Sequence, residues 1–332
     1  MGLPLKNPII VGANNMTLDL DNLKRMEEAG AAAVVYKSLF EEQIHLENLE
    51  LSERLSEYDE RSPEMITTHP DIIPESEYPL EHLKNLEKTK KALSIPVFAS
   101  LNAVYDETWV EYAKKIEETG VDGLELNFYT VPEKFDDEAS TIEENQIRIL
   151  KEVKASVKIP VSVKLSQFYT NTLKLITSLD NAGADGFVLF NRLFQPDIDI
   201  HTEQINFPYN LSNVEDSRLA LRFSGLLFGN VKGSVSANTG IFSGKDVIKM
   251  LLAGANSVQI VSTLYLNQIE VIRTMLTDIE KWMEERNYSE ISSFRGKLSR
   301  KNIEDKNSYH RAQYLDFMMS TTEIFKKYKV IN

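Results

Sequence analysis

The chain has 332 residues, 42% of them hydrophobic and 26% charged, the balance of an ordinary folded protein. Its formal net charge of −13 leaves no basic excess to neutralise a nucleic-acid backbone. There is no cysteine, which excludes disulfides, thiolate metal sites, an iron–sulfur cluster held by this chain, and a Cys nucleophile or base.

The first stretch, MGLPLKNPII, has no long apolar core, so it does not read as a signal peptide. Lys6 stands where a myristoylation pattern wants Ser or Thr. No apolar run approaches the ~18 residues of a membrane span. A cytoplasmic protein with no membrane or nucleic-acid partner is expected.

The first β-run, at about 8–14, ends on Asn14, and the amphipathic LDNLKRMEEAG follows. Gly30 opens the second run, at about 32–38, which ends on Lys37. Residues 39–79 are too long for a βα connection and finish in the Pro- and acid-rich HPDIIPESEYP. Pro96 starts the third run, ending on Asn102, and the helical WVEYAKKIEETG leads through Gly120 to the fourth, ending on Asn127. Pro160 starts the fifth, ending on Lys164, and Gly183 opens the sixth, ending on Asn191. Residues 192–212 form a polar excursion with a candidate hairpin, DIDIHTEQINF. The seventh run ends on Asn238, GKDVIKMLLAG is helical, Gly254 opens the eighth, and that run ends on Ser262. A charged tail with a final helix fills 299–332.

One grammar recurs in EEAGAAAVV, EETGVDGLEL, DNAGADGFVL and LLAGANSVQI: helix, glycine, short β-run. Glycine belongs there because it takes the left-handed helix cap without a Cβ penalty. Nearly continuous apolar strands alternating with helices specify a parallel sheet covered by helices. Eight near-equal units favour a closed (βα)8 barrel, with insertions after strands 2 and 6 and a C-terminal helical tail, over a doubly wound open sheet.

Every β-run therefore ends on a polar side chain, two of them lysines and five asparagines. Neither residue favours strands, so propensity does not account for the pattern. In a barrel these positions make the C-terminal rim, where binding and chemistry reside. Lysines supply positive charge, and asparagines read the edge of a planar heterocycle. Asn238, Thr239 and Gly240 precede one helix, and Ser262 with Thr263 starts another, so both turns are candidate anion sites. Capping by Ser243 or Ser262 is the alternative reading. His45, His69, His82, His201 and His310 are scattered without metal-ligand spacing and read as surface residues.

These residues resemble a family, the dihydroorotate dehydrogenases, and within it the branch beside the class 1 enzymes. The resemblance runs from about Leu3 to Ser299. It rests on KNPIIVGANNMT, YKSLFEEQ, ELN, VSVKL, LFN, ANTGIFSGKDV, VQIVST and the closing FRGKLS. It implies an FMN-binding barrel over 1–298, with 299–332 packing on the barrel or on a partner subunit. It implies FMN held by Ala13, Asn14, Lys37, Ser38, Asn102, Asn127, Lys164, Asn238, Thr239, Gly240, Ser262 and Thr263. Lys37, Asn127 and Asn191 would bind a small, anionic substrate, with Arg192, which is not a family residue, as a further partner for its charge, and Lys164 would stabilise charge on the reduced ring. A separate electron acceptor and a homodimer are also implied. The family default is oxidation of dihydroorotate to orotate in pyrimidine biosynthesis.

The chain also departs from the family pattern. Thr130, preceded by Tyr129, stands where class 1 enzymes place a Cys base and class 2 enzymes a Ser, and the loop is shortened to TVPEKF. Thr130 as base and Tyr129 as acid are the candidates. The family's orotate-binding segment has no counterpart in 52–80, and Arg192 replaces a small residue after Asn191. Two other readings stay open: a lyase or aldolase forming a Schiff base on a strand-end lysine, and a non-catalytic FMN-binding or interaction protein.

Overall fold

The computed structural model describes residues 1–43, 77–103, 106–128, 135–192, 196–206, 211–305 and 309. Eight parallel strands form the barrel: β1 (Ile9–Val11), β2 (Ala33–Val35), β4 (Val97–Asn102), β5 (Gly123–Phe128), β6 (Val161–Leu165), β7 (Gly186–Leu189), β10 (Ser234–Asn238) and β11 (Ser257–Ile260). Each pairs with its neighbours in chain order, β1 pairs β11, and β2 pairs β4, so the sheet closes. The second β-run splits: β2 ends at Val35, and the short β3 (Leu39–Phe40) pairs with the upper half of β4. The excursion after the sixth barrel strand contains the expected hairpin, β8 (Asp197–Asp199) against β9 (Gln204–Asn206), antiparallel. The excursion after the second barrel strand lies largely outside the described residues, as does most of the tail. Within the tail, Tyr309 donates to the Leu298 carbonyl at 2.6 Å and accepts from Arg222 through its own carbonyl at 2.7 Å.

The repeat grammar has a physical basis. Gly30, Gly120, Gly183 and Gly254 all take positive φ, from 81° to 132°, as the helix-to-strand reversal requires. The residues around them carry a second device. Three residues before the glycine, an acid at the helix end accepts backbone N–H groups from the segment leading into the barrel strand after the one that the glycine opens. Glu27 takes Ser94 N and Ile95 N at 2.9 and 3.1 Å, Glu117 takes Lys158 N and Ile159 N at 2.6 and 3.1 Å, and Asp180 takes Lys232 N and Gly233 N at 3.0 and 2.8 Å. Two residues after the glycine, another side chain grips the preceding strand: Asp122 takes Val97 N, Asp185 takes Val161 N (both 2.7 Å) and Asn256 takes Val235 N (3.0 Å). Lys90 and Lys154 neutralise Asp122 and Asp185 at 2.6 Å. These bonds, charge-assisted at the five carboxylates, satisfy amides at the barrel's N-terminal face.

Side-chain parity divides the interior. Leu124 and Leu126 join the apolar layer between sheet and helices. Ile10, Ala33, Val35 and Phe98 fill the bottom of the barrel with Met1, Leu3 and Leu5 against them. Glu125 and Asn127 take the opposite parity to the leucines and face inward.

One histidine overturns the surface reading. His201 is exposed, but His82 is 5% exposed and meets the Tyr36 ring edge-on, centroids 5.2 Å apart. Its helix, Glu77–Ala92, buries Pro79, His82, Leu86 and Thr89 at helical spacing. Burial, then the Lys37 charge, pushes its pKa down to about 4. His45, His69 and His310 lie outside the described residues.

Asp185→Ala is expected to cost about 1–3 kcal/mol in urea unfolding, with the exposed Asp137→Ala as an unaffected control. Unchanged stability would show that these carboxylate staples do not hold the barrel. The His82 imidazole takes a proton near pH 6.5 when unfolded and only near 4 when folded, so acidification between those values favours unfolding. The wild-type protein should lose up to about 3 kcal/mol over that window. His82→Gln should lose correspondingly less; parallel wild-type and variant profiles would refute the assignment.

Candidate active site

All eight residues on which the β-runs were expected to end border one cavity of about 520 Å³ at the C-terminal mouth of the barrel. The pairing of β5 with β6 sets Asn127 beside Lys164, so an amide and an ammonium share the floor. Lys164 is 8% exposed, and its Nζ lies 3.8 Å from Glu125 Oε1. Glu125 Oε2 accepts from Gln259 Nε2 at 2.7 Å. Asn191 donates to Asn127 Oδ1 at 2.9 Å, so two of the expected substrate-binding amides already form a pair.

The walls are held by shorter-range bonds. Lys37 donates to Asn15 Oδ1 at 2.7 Å, and Ser38 Oγ lies 2.7 Å from Ser100 Oγ. Ala13 and Asn14 line the cavity, but the Asn14 side chain is largely committed to its own turn: it donates to the Gly12 carbonyl at 2.7 Å and accepts from Met16 N at 2.8 Å. Asn102 borders the cavity at the end of β4, in register with Phe40.

The two candidate anion turns differ. Asn238 Nδ2 and Thr239 Oγ1 both donate to the Phe190 carbonyl, at 3.1 and 2.9 Å. Thr239 and Gly240 take φ of 77° and 75°, and a Cβ on Gly240 would lie 2.4 Å from Ser217 N. That glycine therefore lets the turn press against the start of the helix Ser217–Leu227. Ser262 Oγ accepts from Ser212 N and Oγ at 3.0 and 2.9 Å, tying down a distant segment rather than capping a helix. Ser243 does occupy an N-cap, with Asp246 accepting from its N and Oγ at 3.0 and 2.8 Å. Thr263 is the one described member of the expected set that lies off the cavity wall. It is fully buried, and its Oγ1 accepts from Asn267 Nδ2 at 3.0 Å.

Arg192 lines the cavity but is ion-paired to Asp216 at 2.7 Å, so an anionic ligand must share it with that carboxylate. Tyr129 and Thr130 lie outside the described residues. Sequence reasoning missed Asn15, Phe40, Glu42, Ser212, Gln259 and Tyr265, which also border the cavity. Gln259 carried a usable signal, a polar residue at inward parity inside SVQI, as Glu125 is inside LEL. Ser212 and Tyr265 carried none, because they reach the site by tertiary packing.

Lys37, Lys164 and Arg192 border the cavity with Glu42, and Lys164 and Arg192 are already paired with Glu125 and Asp216, so positive charge is presented at fixed points rather than as an excess. Cations and paired amides around one concave space suit a planar, hydrogen-bonding, anionic ligand.

Comparison with known proteins agrees with this geometry. The sequence profile of the dihydroorotate dehydrogenase family matches residues 75–283. The chain is 27% identical over 299 residues to the catalytic subunit of dihydroorotate dehydrogenase B (NAD(+)) of Methanocaldococcus jannaschii, covering 86% of this chain and 92% of that protein. The corresponding subunit of Pyrococcus furiosus is 28% identical over 301 residues, with 89% and 96% covered. Dihydroorotate dehydrogenase A (fumarate) of Lactobacillus helveticus is 26% identical over 200 residues, with 56% and 64% covered. The profile spans more than half of the chain, and with the closed barrel it establishes that this protein is an oxidoreductase of the dihydroorotate dehydrogenase family.

Proposed function

We propose that the chain is an FMN-dependent oxidoreductase acting on the CH–CH group of a small anionic substrate, with dihydroorotate to orotate as the reaction. The observation that carries this reading is the convergence on one cavity of eight polar residues, two of them lysines, each within three residues of a barrel-strand end. The residues present fit FMN: about 520 Å³ accommodates a tricyclic ring with a small substrate beside it, and the walls offer cations and amides. When bound, FMN supplies the hydride acceptor.

The protein's own residues bind, orient and stabilise charge. Lys164 holds its ammonium on the cavity floor, where it would favour negative charge on a reduced ring bound above it. Asn127 and Asn191 fix each other at 2.9 Å and present their remaining donors and acceptors to the substrate ring. Lys37 lies by the cavity with its ammonium steadied by Asn15. The substrate proton falls to Thr130, with Tyr129 as the neighbouring acid, in the sequence that directly follows Phe128 at the end of β5. Turnover needs a separate acceptor for the two electrons that leave the substrate, and this cysteine-free chain supplies no iron–sulfur relay to reach it. NAD(+) and fumarate, from the relatives' names, are the first to test.

A cytoplasmic location is part of the same reading; no described helix is long and apolar enough to cross a membrane. A homodimer is the proposed assembly. Ile198 and Ile205 sit directly opposite each other on the hairpin and are 66% and 67% exposed, an apolar face on a ribbon too small to stand alone.

The purified protein is expected to show a flavin absorption band that dihydroorotate bleaches without oxygen. Thr130→Ala should keep the band and slow bleaching by about 10²-fold or more. A protein that takes up no FMN would sink the cofactor, and a loaded protein that dihydroorotate leaves yellow would sink the substrate. Light scattering should return twice the chain mass, with Ile205→Lys reverting to one chain; a monomeric wild-type protein would exclude the dimer.

A further inference from the structure

The middle of the barrel is polar where such barrels usually stack branched apolar residues. Glu125 is 1% exposed and Gln259 3% exposed, and they come from β5 and β11, which share no ladder. Their 2.7 Å hydrogen bond therefore crosses the barrel interior. Lys164 approaches the other carboxylate oxygen from the adjacent strand, at 3.8 Å. That oxygen, Gln259 Oε1 and Ser236 Oγ have no hydrogen-bond partner among the described residues. All three residues border a void of about 40 Å³ beneath the cavity floor, room for water.

A carboxylate this deep is strongly unfavourable without a counter-charge, and Lys164 is its ion-pair partner. The reverse also holds, since an ammonium 8% exposed needs an anion behind it. We propose that Glu125 is the positioning residue for Lys164: held across the barrel by Gln259, it fixes the ammonium on the cavity floor and sets the charge that floor presents. The pair turns its positive end toward the cavity while adding almost no net charge. The floor thus favours negative charge at one place instead of attracting anions in general. The pairing stands on the geometry alone; its effect on flavin rests on the function proposed above.

The test is a double-mutant cycle with Glu125→Gln, which keeps the volume and the bond from Gln259, and Lys164→Met. Lys164→Met alone strands the carboxylate and is expected to lower the thermal midpoint by roughly 5–10 °C. Adding Glu125→Gln should return most of that loss, and a double variant that folds where Lys164→Met does not would be the same result in stronger form. Single losses that simply add would overturn the pairing. In the flavin-loaded protein, Glu125→Gln alone removes a negative charge below the floor. It should raise the ratio of reduced-flavin to oxidised-flavin affinity by about tenfold, and an unchanged ratio would overturn the electrostatic role. A protein that binds no flavin would refute the FMN reading, while the cycle would still decide the pairing.

Discussion

A parallel barrel leaves amides without ladder partners at the face where its strands begin, and their burial has to be compensated. Here the compensation is a ring of side-chain acceptors: Glu27, Glu117 and Asp180 reaching forward to the next strand, and Asp122, Asp185 and Asn256 reaching back to the previous one. The remaining architecture depends on that ring. It holds strand starts in position and closes over the apolar plug of Ile10, Val35 and Phe98. With the strand starts secured there, the C-terminal rim can carry lysines and asparagines, although Lys164 still ties back to the core through Glu125.

Between plug and rim lies a layer with mixed duties. Glu125, Gln259 and the inward serines forgo the packing enthalpy of a branched apolar layer. They gain a rigid base for the one ammonium that the cavity shares with the core. The walls repeat the same economy of means: Ser38 with Ser100, Ser212 with Ser262, and Asn14 with its own turn are small polar contacts that immobilise backbone around a space. What is left to meet a ligand is a short set of groups, chiefly Lys37, Lys164, Asn127 and Asn191.

Much of this was legible in the sequence because it is local. Glycine at the helix-to-strand reversal, proline at two strand starts, and a polar residue at the end of each β-run depend on spacing within about ten residues. The features that escaped depend on contacts across the fold. His82 looked like one more solvated histidine, although its spacing with Leu86 and Thr89 marks a buried helix face. Gln259 was passed over because its meaning lies on the far side of the barrel, in Glu125. Arg192 was expected to meet an anionic substrate, and only the folded chain shows Asp216 beside it. Ser262 was weighed as a cap or anion site, and its tie to Ser212 spans fifty residues of sequence.

The ring of acceptors has one further consequence. The six members link successive barrel strands from β2 round to β11, so those units are joined twice: once by the covalent chain and once by a non-covalent hoop, open at β1, at the opposite pole. A loop at the rim can therefore be lengthened or re-routed without loosening the succession of strands. Both long departures of this chain, the one after Lys37 and the one after Asn191, leave from the rim. The hoop makes the rim the place where this barrel can diversify, so novelty and catalysis are confined to the same face while the foundation stays unchanged.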